Sequence, residues 1–486
     1  MRKGFLIVLA VVLVAALAAP AMAGMDAAGF IRVKGYVSNF KNGATAPVLQ
    51  PDAPDAAYVE QRFRAKFSFG EENVKAVWYV ETDFGAYGDS GGSSIPANTT
   101  GGALRNSGGG LGGDRINLET KNIYIWFKLP NTSLDFTVGL QNQSDRFAGL
   151  LYGGSDMAGI FATGKVEPVS YKLGWAKLYE NNNQKTDDAT LYVAEVQFVP
   201  TKGASLGFTA NFLQDDTQAY VSATNLPYPT VAGATNKKKA YTLGLDGTFN
   251  AGPVALTGFA LYQFGKVESV LTTGVPDVDI NGYAVDLRGD VNLGPGKGFL
   301  EGLYVSGGDG NGDKYKSIFT LSDVNSSPGG NSFYARTDMM ILLVNGDDIN
   351  TSSALIGAAA SPSASTFGTC ATSPGNCGRG IWHIGAGYTM PLAKQLTGKV
   401  GAGYLAATDL LVSDQNHATT GLVNNRQGKS MGTEVNANVN YNIMKGLDFG
   451  LYGAYAWLGD FYKSSAAGAK DPDDVYDVHF RLNYAF

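Results

Sequence analysis

Arg62, Arg64 and Lys66 stand at alternate positions, as do Arg32 and Lys34, and Lys75 follows. Side chains two apart on an extended chain share a face. Such a row does not act on a bond. It attracts anions and sets a field across an aqueous passage, although an ordinary hydrated wall has the same spacing. Asp286, Arg288 and Asp290 form a second alternating set, of mixed sign, with Glu301 nearby. Covalent chemistry would need a nucleophile beside a positioned base. The three histidines, His383, His417 and His479, are scattered and belong to no serine constellation. We therefore expect no catalytic residue and no cofactor. Asp309, Asn311 and Asp313 resemble the start of a calcium loop. Lys314 stands where such a loop has its glycine and Thr320 where it has its glutamate, so no metal is expected. Cys370 and Cys377 flank a Pro374-Gly375 turn and are expected to form one disulfide in an oxidising compartment.

Strands must position these groups. In AAYVEQRFRAKFSFG, Val59, Phe63, Ala65, Phe67 and Phe69 oppose Glu60, Arg62, Arg64 and Lys66. In EVNANVNYNI, Val435, Ala437, Val439, Tyr441 and Ile443 oppose Glu434 and four asparagines. Aromatic-rich apolar faces backed by charged or amide faces suit apolar-out, polar-in packing around water. Strands are expected to begin near residues 29, 57, 73, 116, 133, 159, 169, 189, 204, 239, 253, 279, 298, 380, 396, 430, 446 and 475. Short connections such as GEEN, LPNTS and MKG alternate with long Gly-, Asn- and Asp-rich ones at 85–115, 142–158, 214–238 and 309–379. The expected fold is all-β: a transmembrane antiparallel up-and-down β-barrel of about 18 strands (range 16–20), with short periplasmic turns and long extracellular loops. The range allows for a further strand hidden in FYARTDMMILLVNG at 333–346. A barrel this wide encloses a channel rather than a packed core. Trp78, Trp382 and Trp457 fall on the apolar register and Trp126 on the inward one.

The two ends agree with export and insertion. Arg2 and Lys3, an apolar run from Phe5 to about Ala19, and Ala21-Met22-Ala23 read as a cleaved leader over 1–23. A single barrel domain over 24–486 then remains. The formal charge of −6, more negative once Arg2 and Lys3 leave, argues against nucleic-acid binding. The last residues, VYDVHFRLNYAF, alternate strictly and end on Phe486.

The leader, the RFRAKF strand, LDFTVGLQ at 134–141 and the YAF terminus resemble Gram-negative outer-membrane porins. The nearest flavour is the eighteen-stranded porin and alginate-exporter-like group. The resemblance implies a cell-outer-membrane location with lipid around the wall. It implies passive diffusion of ions and small hydrophilic solutes, and often a homotrimer. It also implies that the barrel-assembly machinery reads the last strand through Phe480, Tyr484 and Phe486. The loop NQSDRFAGLLYGGSDM at 143–158 resembles the porin loop that folds inward and narrows the barrel. Asp145, Arg146 and Asp156 are its candidate constriction residues, although Arg146 departs from the acidic pattern of that loop. A specific polysaccharide or solute exporter, or the barrel sheath of an electron-transfer conduit, is the alternative. An outer-membrane enzyme is the remaining class, and it lacks a constellation.

Overall fold

Two-residue alternation becomes a closed wall of strands. The computed structural model describes residues 24–40, 49, 51–84, 87–88, 118–180, 187–217, 236–269, 277–310, 314–324, 332–343, 373–411, 426–463 and 470–486. The leader, Asn311, Asp313, Cys370 and His417 lie outside these residues. In chain order the strands are β1 Gly24–Ser38, β2 Ala56–Glu71, β3 Val74–Phe84, β4 Glu119–Lys128, β5 Leu134–Gln143, β6 Ser155–Val166 and β7 Val169–Tyr179. Then come β8 Ala189–Thr201, β9 Ala204–Asp215, β10 Asn236–Ala251, β11 Val254–Ser269, β12 Val278–Leu293 and β13 Gly296–Val305. β14 Lys314–Tyr315 is a two-residue segment. β15 Ile381–Ala393, β16 Leu396–Ala407, β17 Ser430–Met444, β18 Leu447–Leu458 and β19 Val475–Ala485 complete the set.

Without β14, eighteen strands make the wall. Each pairs antiparallel with its sequence neighbours, β13 pairing with β15, and β1 pairs with both β2 and β19. β14 lies parallel against β12 and adds nothing to the circuit. The expected strands are thus present, with the largest shifts at β1 and β6. β1 begins at Gly24 rather than near 29, and β6 begins at Ser155 rather than near 159. The residues at 333–343 form turns and bends, not a further strand.

Short turns gather at one end. The links between β2 and β3, β8 and β9, β10 and β11, and β17 and β18 are two residues each. Such turns need positive φ, which Gly203 (+88°) and Gly446 (+81°) supply. The long connections gather at the other end. On β12, Tyr283, Val285 and Leu287 are exposed on the outside while Ala284 and Asp286 are buried inside. Trp78, Trp175, Trp382 and Trp457 are likewise exposed on the outer face. Trp126 takes the opposite register to the exposed Ile123 and Ile125, facing inward.

The packed apolar core sits inside the barrel, toward the long-loop end. Phe147, Leu150, Leu151 and Tyr152 from one connection meet Ile318, Phe319, Tyr334, Ile341 and Leu342 from another, against Phe259 and Leu261 of the wall. Two loops therefore fold inward.

The seam is completed by the last residue. The Phe486 N–H donates to the Gly29 carbonyl at 3.0 Å, and the Gly29 N–H donates to the Phe486 carbonyl at 3.0 Å. Beside it the Phe480 ring lies over Gly35, so close that a Cβ there would sit 2.2 Å from Cε1. Gly35→Val is expected to displace that ring and destabilise the barrel by about 1–3 kcal/mol. A lower denaturant midpoint of the purified barrel checks this; an unchanged midpoint counts against the tight seam.

Candidate functional site

The inward cations do not stand alone. A hairpin about a two-residue turn sets Arg62 opposite Asp83 and Arg64 opposite Glu81. Arg62 Nε and Nη2 donate to the two Asp83 carboxylate oxygens at 2.8 and 2.6 Å, and Arg64 pairs with Glu81. Arg32 Nε donates to Asn483 Oδ1 at 3.2 Å, and its guanidinium lies 5.0 Å from the Phe30 ring centroid. Lys34 is buried beside Tyr36 and directly opposite Glu60. Lys75 lies 4.0 Å from Asp26, while Lys66 faces inward near the short-turn end and is exposed. Within the ladder Arg62 and Arg64 are thus ion-paired across one hairpin. Glu81 and Asp83 are missing from the expected site. Their alternation in VETDF, reflected through the turn onto Arg62 and Arg64, was the available signal.

The first inward loop is 144–154, shorter than the span 143–158 read from sequence. Asp156 belongs to β6, where it accepts from Lys121 Nζ, Asn122 Nδ2 and Asn142 Nδ2. Asp156 occupies the outward register that Ala158 and Ile160 continue, so its polarity hid the start of the strand. Asp145 does not line a passage either. It is fully buried and accepts the backbone N–H groups of Phe147 (2.7 Å), Gly149 (2.9 Å), Leu151 (2.7 Å) and Tyr152 (2.8 Å). Burial pushes this carboxyl up to about 6, and the four N–H groups restrain the rise. Arg146 alone of the three reaches across: Nε and Nη2 donate to Asp246 of β10 at 2.7 and 2.8 Å. Phe147 packs edge-on to Phe259, and its ring covers Gly244 so closely that a Cβ there would clash.

The second inward loop comes from the connection between β13 and β15. It clasps the first through main-chain bonds: Leu321 N–H to Leu151 carbonyl (2.8 Å), Phe333 N–H to Gly149 (3.0 Å) and Ala335 N–H to Ala148 (2.8 Å). Glu434 of β17 anchors it by accepting the N–H groups of Met340 (2.6 Å), Ile341 (3.0 Å) and Leu342 (3.0 Å). Ion pairs add to this. Arg336 meets Asp286, Lys399 meets Asp338, and Arg288 meets Glu301 (2.7 Å) and Asp290 (3.0 Å) while donating to the Arg336 carbonyl at 2.7 Å. Asp286 and Asp290 are thereby engaged with Arg336 and Arg288. Glu301 faces inward, its second oxygen 3.0 Å from His383 Nε2.

Both ring nitrogens of His383 face acceptors, Glu301 and the Tyr404 carbonyl. His479 meets Asp477 at 3.1 Å and stacks on Tyr452. Neither ring is arranged as a base for a nucleophile. Among the described residues no three His, Cys, Asp or Glu side chains form a metal-sized group. Cys377 is disulfide-bonded, and the only other cysteine in the sequence is Cys370.

On the short-turn side of Arg146 a polar cleft of about 290 Å³ opens along β5 to β8. Asp135, Thr163, Ser170, Lys172, Glu195 and Gln197 line it.

No family model and no curated protein matches this chain. Among solved structures it is similar to OpdQ of Pseudomonas aeruginosa, at 11% identity over 95% of this chain and 97% of that one, with a TM-score of 0.50. It is also similar to OpdK of the same bacterium, in a structure with vanillate, at 12% identity over 95% and 98%, again with a TM-score of 0.50. At such identity the likeness establishes the fold, a closed antiparallel barrel of eighteen strands as in outer-membrane porins.

Asp145→Ala removes the acceptor of four buried N–H groups, each costing about 1–3 kcal/mol when unpaired. Amide exchange across 147–152 is expected to accelerate by about 100-fold or more. Exchange at the native rate would mean that the loop is held by its apolar contacts alone.

Proposed function

We propose that this barrel is an outer-membrane channel through which ions and small hydrophilic solutes diffuse passively. One observation carries the reading. A closed wall, apolar outside, surrounds an interior faced with charged side chains and narrowed by two of the protein's own loops. Only a closed sheet satisfies all strand hydrogen bonds in hydrocarbon. Charges on the inner face of such a sheet are tolerable when water reaches them. The protein would be exported by its 1–23 leader and sit in the outer membrane of a Gram-negative cell. Its last strand, through Phe480, Tyr484 and Phe486, would serve the assembly machinery. It would perform no covalent chemistry.

The electrostatics favour weak ion selectivity over an anion-attracting wall. Arg62, Arg64, Arg146, Arg288, Arg336 and Lys399 each face a carboxylate. Paired charges leave little net field for a passing ion. The sheath reading draws less support, because a partner inside the barrel would have to displace the clasped loops.

Reversal potentials across a salt gradient test both parts. The native channel is expected to show open steps with a permeability ratio near unity. Arg146→Gln leaves Asp246 unmatched and is expected to shift the ratio a few-fold toward cations. Asp246→Asn leaves Arg146 unmatched and should shift it a few-fold toward anions. Shifts of the same sign in both variants would remove the paired-charge account, and a silent barrel would remove the channel.

A further inference from the structure

The cleft beneath Arg146 has a lining that selects among solutes. Its cations already face carboxylates. Arg146 holds Asp246 by two bonds, Lys172 Nζ lies 2.8 Å from Glu195 Oε1, and Lys165 Nζ lies 2.5 Å from Glu167. Asp135 has Lys128 across from it on β4, and its buried Oδ1, without a partner in the protein, can accept from a hydroxyl. An ionic solute that took Arg146, Lys165, Lys172 or Glu195 as its counter-charge would have to break such a pair and strand its other member, which is unfavourable in a partly buried site.

A hydroxyl group behaves differently. It both donates and accepts, so it can add to a paired ion without replacing the partner. Arg146 uses Nε and Nη2 on Asp246, and Nη1 takes no part in those bonds. Lys172 has further N–H donors beyond the one aimed at Glu195. Thr163, Ser170 and Gln197 add uncharged donors and acceptors.

The wall behind Glu195 continues the same chemistry. Thr209 on β9 is its direct cross-strand neighbour, with Asn211 two residues along the same face. Thr209 Oγ1, both amide atoms of Asn211 and the Tyr152 hydroxyl are buried and have no hydrogen-bond partner within the protein. Buried polar atoms are nearly always satisfied. Uncharged hydrogen-bonding groups thus continue from the cleft into the wall behind it.

We propose that the cleft is a binding site for a neutral polyhydroxylated solute of about monosaccharide size. Its volume of about 290 Å³ lies at the low end of small-molecule pockets, about 300 Å³. This deepens the channel reading and rests on it: the solute would pause at the cleft on its way past Arg146.

The test compares glucose, gluconate and protonated glucosamine, which share a carbon skeleton and differ in charge. Each is added to open single channels of the purified protein in a planar bilayer. Glucose is expected to interrupt the ion current saturably, with the two ions at least about five-fold weaker. Thr163→Val and Gln197→Ala, which leave every ion pair in place, are each expected to weaken glucose by about five-fold, as for one lost hydrogen bond. Open channels that ignore glucose, or that prefer either ion, overturn the site and leave the channel standing. If no steps open, the channel reading fails. Calorimetric titration of glucose into the detergent-purified protein then decides the site by itself. Saturable binding weakened by Gln197→Ala upholds it, and no heat of binding overturns it.

Discussion

The structure depends on one requirement: each main-chain N–H and C=O along the wall must find a partner within the sheet. A flat sheet of eighteen strands would leave two edges, and an edge cannot be left in hydrocarbon. Pairing β1 with β19 removes both edges at once. Once the circle exists, the two faces of every strand have different surroundings. That difference explains why Leu287 is exposed while Asp286, one residue earlier, is buried in an ion pair.

Closure creates a second problem, which the inward loops answer. A ring of eighteen strands is too wide for wall side chains to fill. The loops carry an apolar cluster into that space, and they bring main-chain groups that need partners of their own. Asp145 and Glu434 solve this in the same way, each carboxylate gathering several consecutive N–H groups. One sits within its loop and the other on the wall, so the first loop is folded upon itself while the second is tethered. The main-chain bonds between them make one body of the two.

Most of the wall was legible from the sequence, because a period of two needs no tertiary information. Strand starts near 169, 189, 204, 396, 430 and 475 coincide with the observed ones. Asp156 shows the limit, as one charged residue on the outer register moved the apparent start of β6. The inward loops were half legible. The apolar run Phe147 to Tyr152 betrayed burial, but the role of Asp145 depends on a backbone curl that no spacing announces. The second loop was unreadable for a stronger reason: Glu434, Asp286 and Lys399, which hold it, lie far from it in the chain. The same holds for Asp246, whose partner Arg146 is a hundred residues away.

The bond between Gly29 and Phe486 joins two of the most distant points of the chain. Contacts of such separation form late, because loop-closure entropy must be met first. An order in which the seam zips last passes through an open sheet of eighteen paired strands with two free edges. In that stage each edge is a template for any other extended peptide. In such an order both edges stay open to other extended chains until the Gly29–Phe486 bonds form.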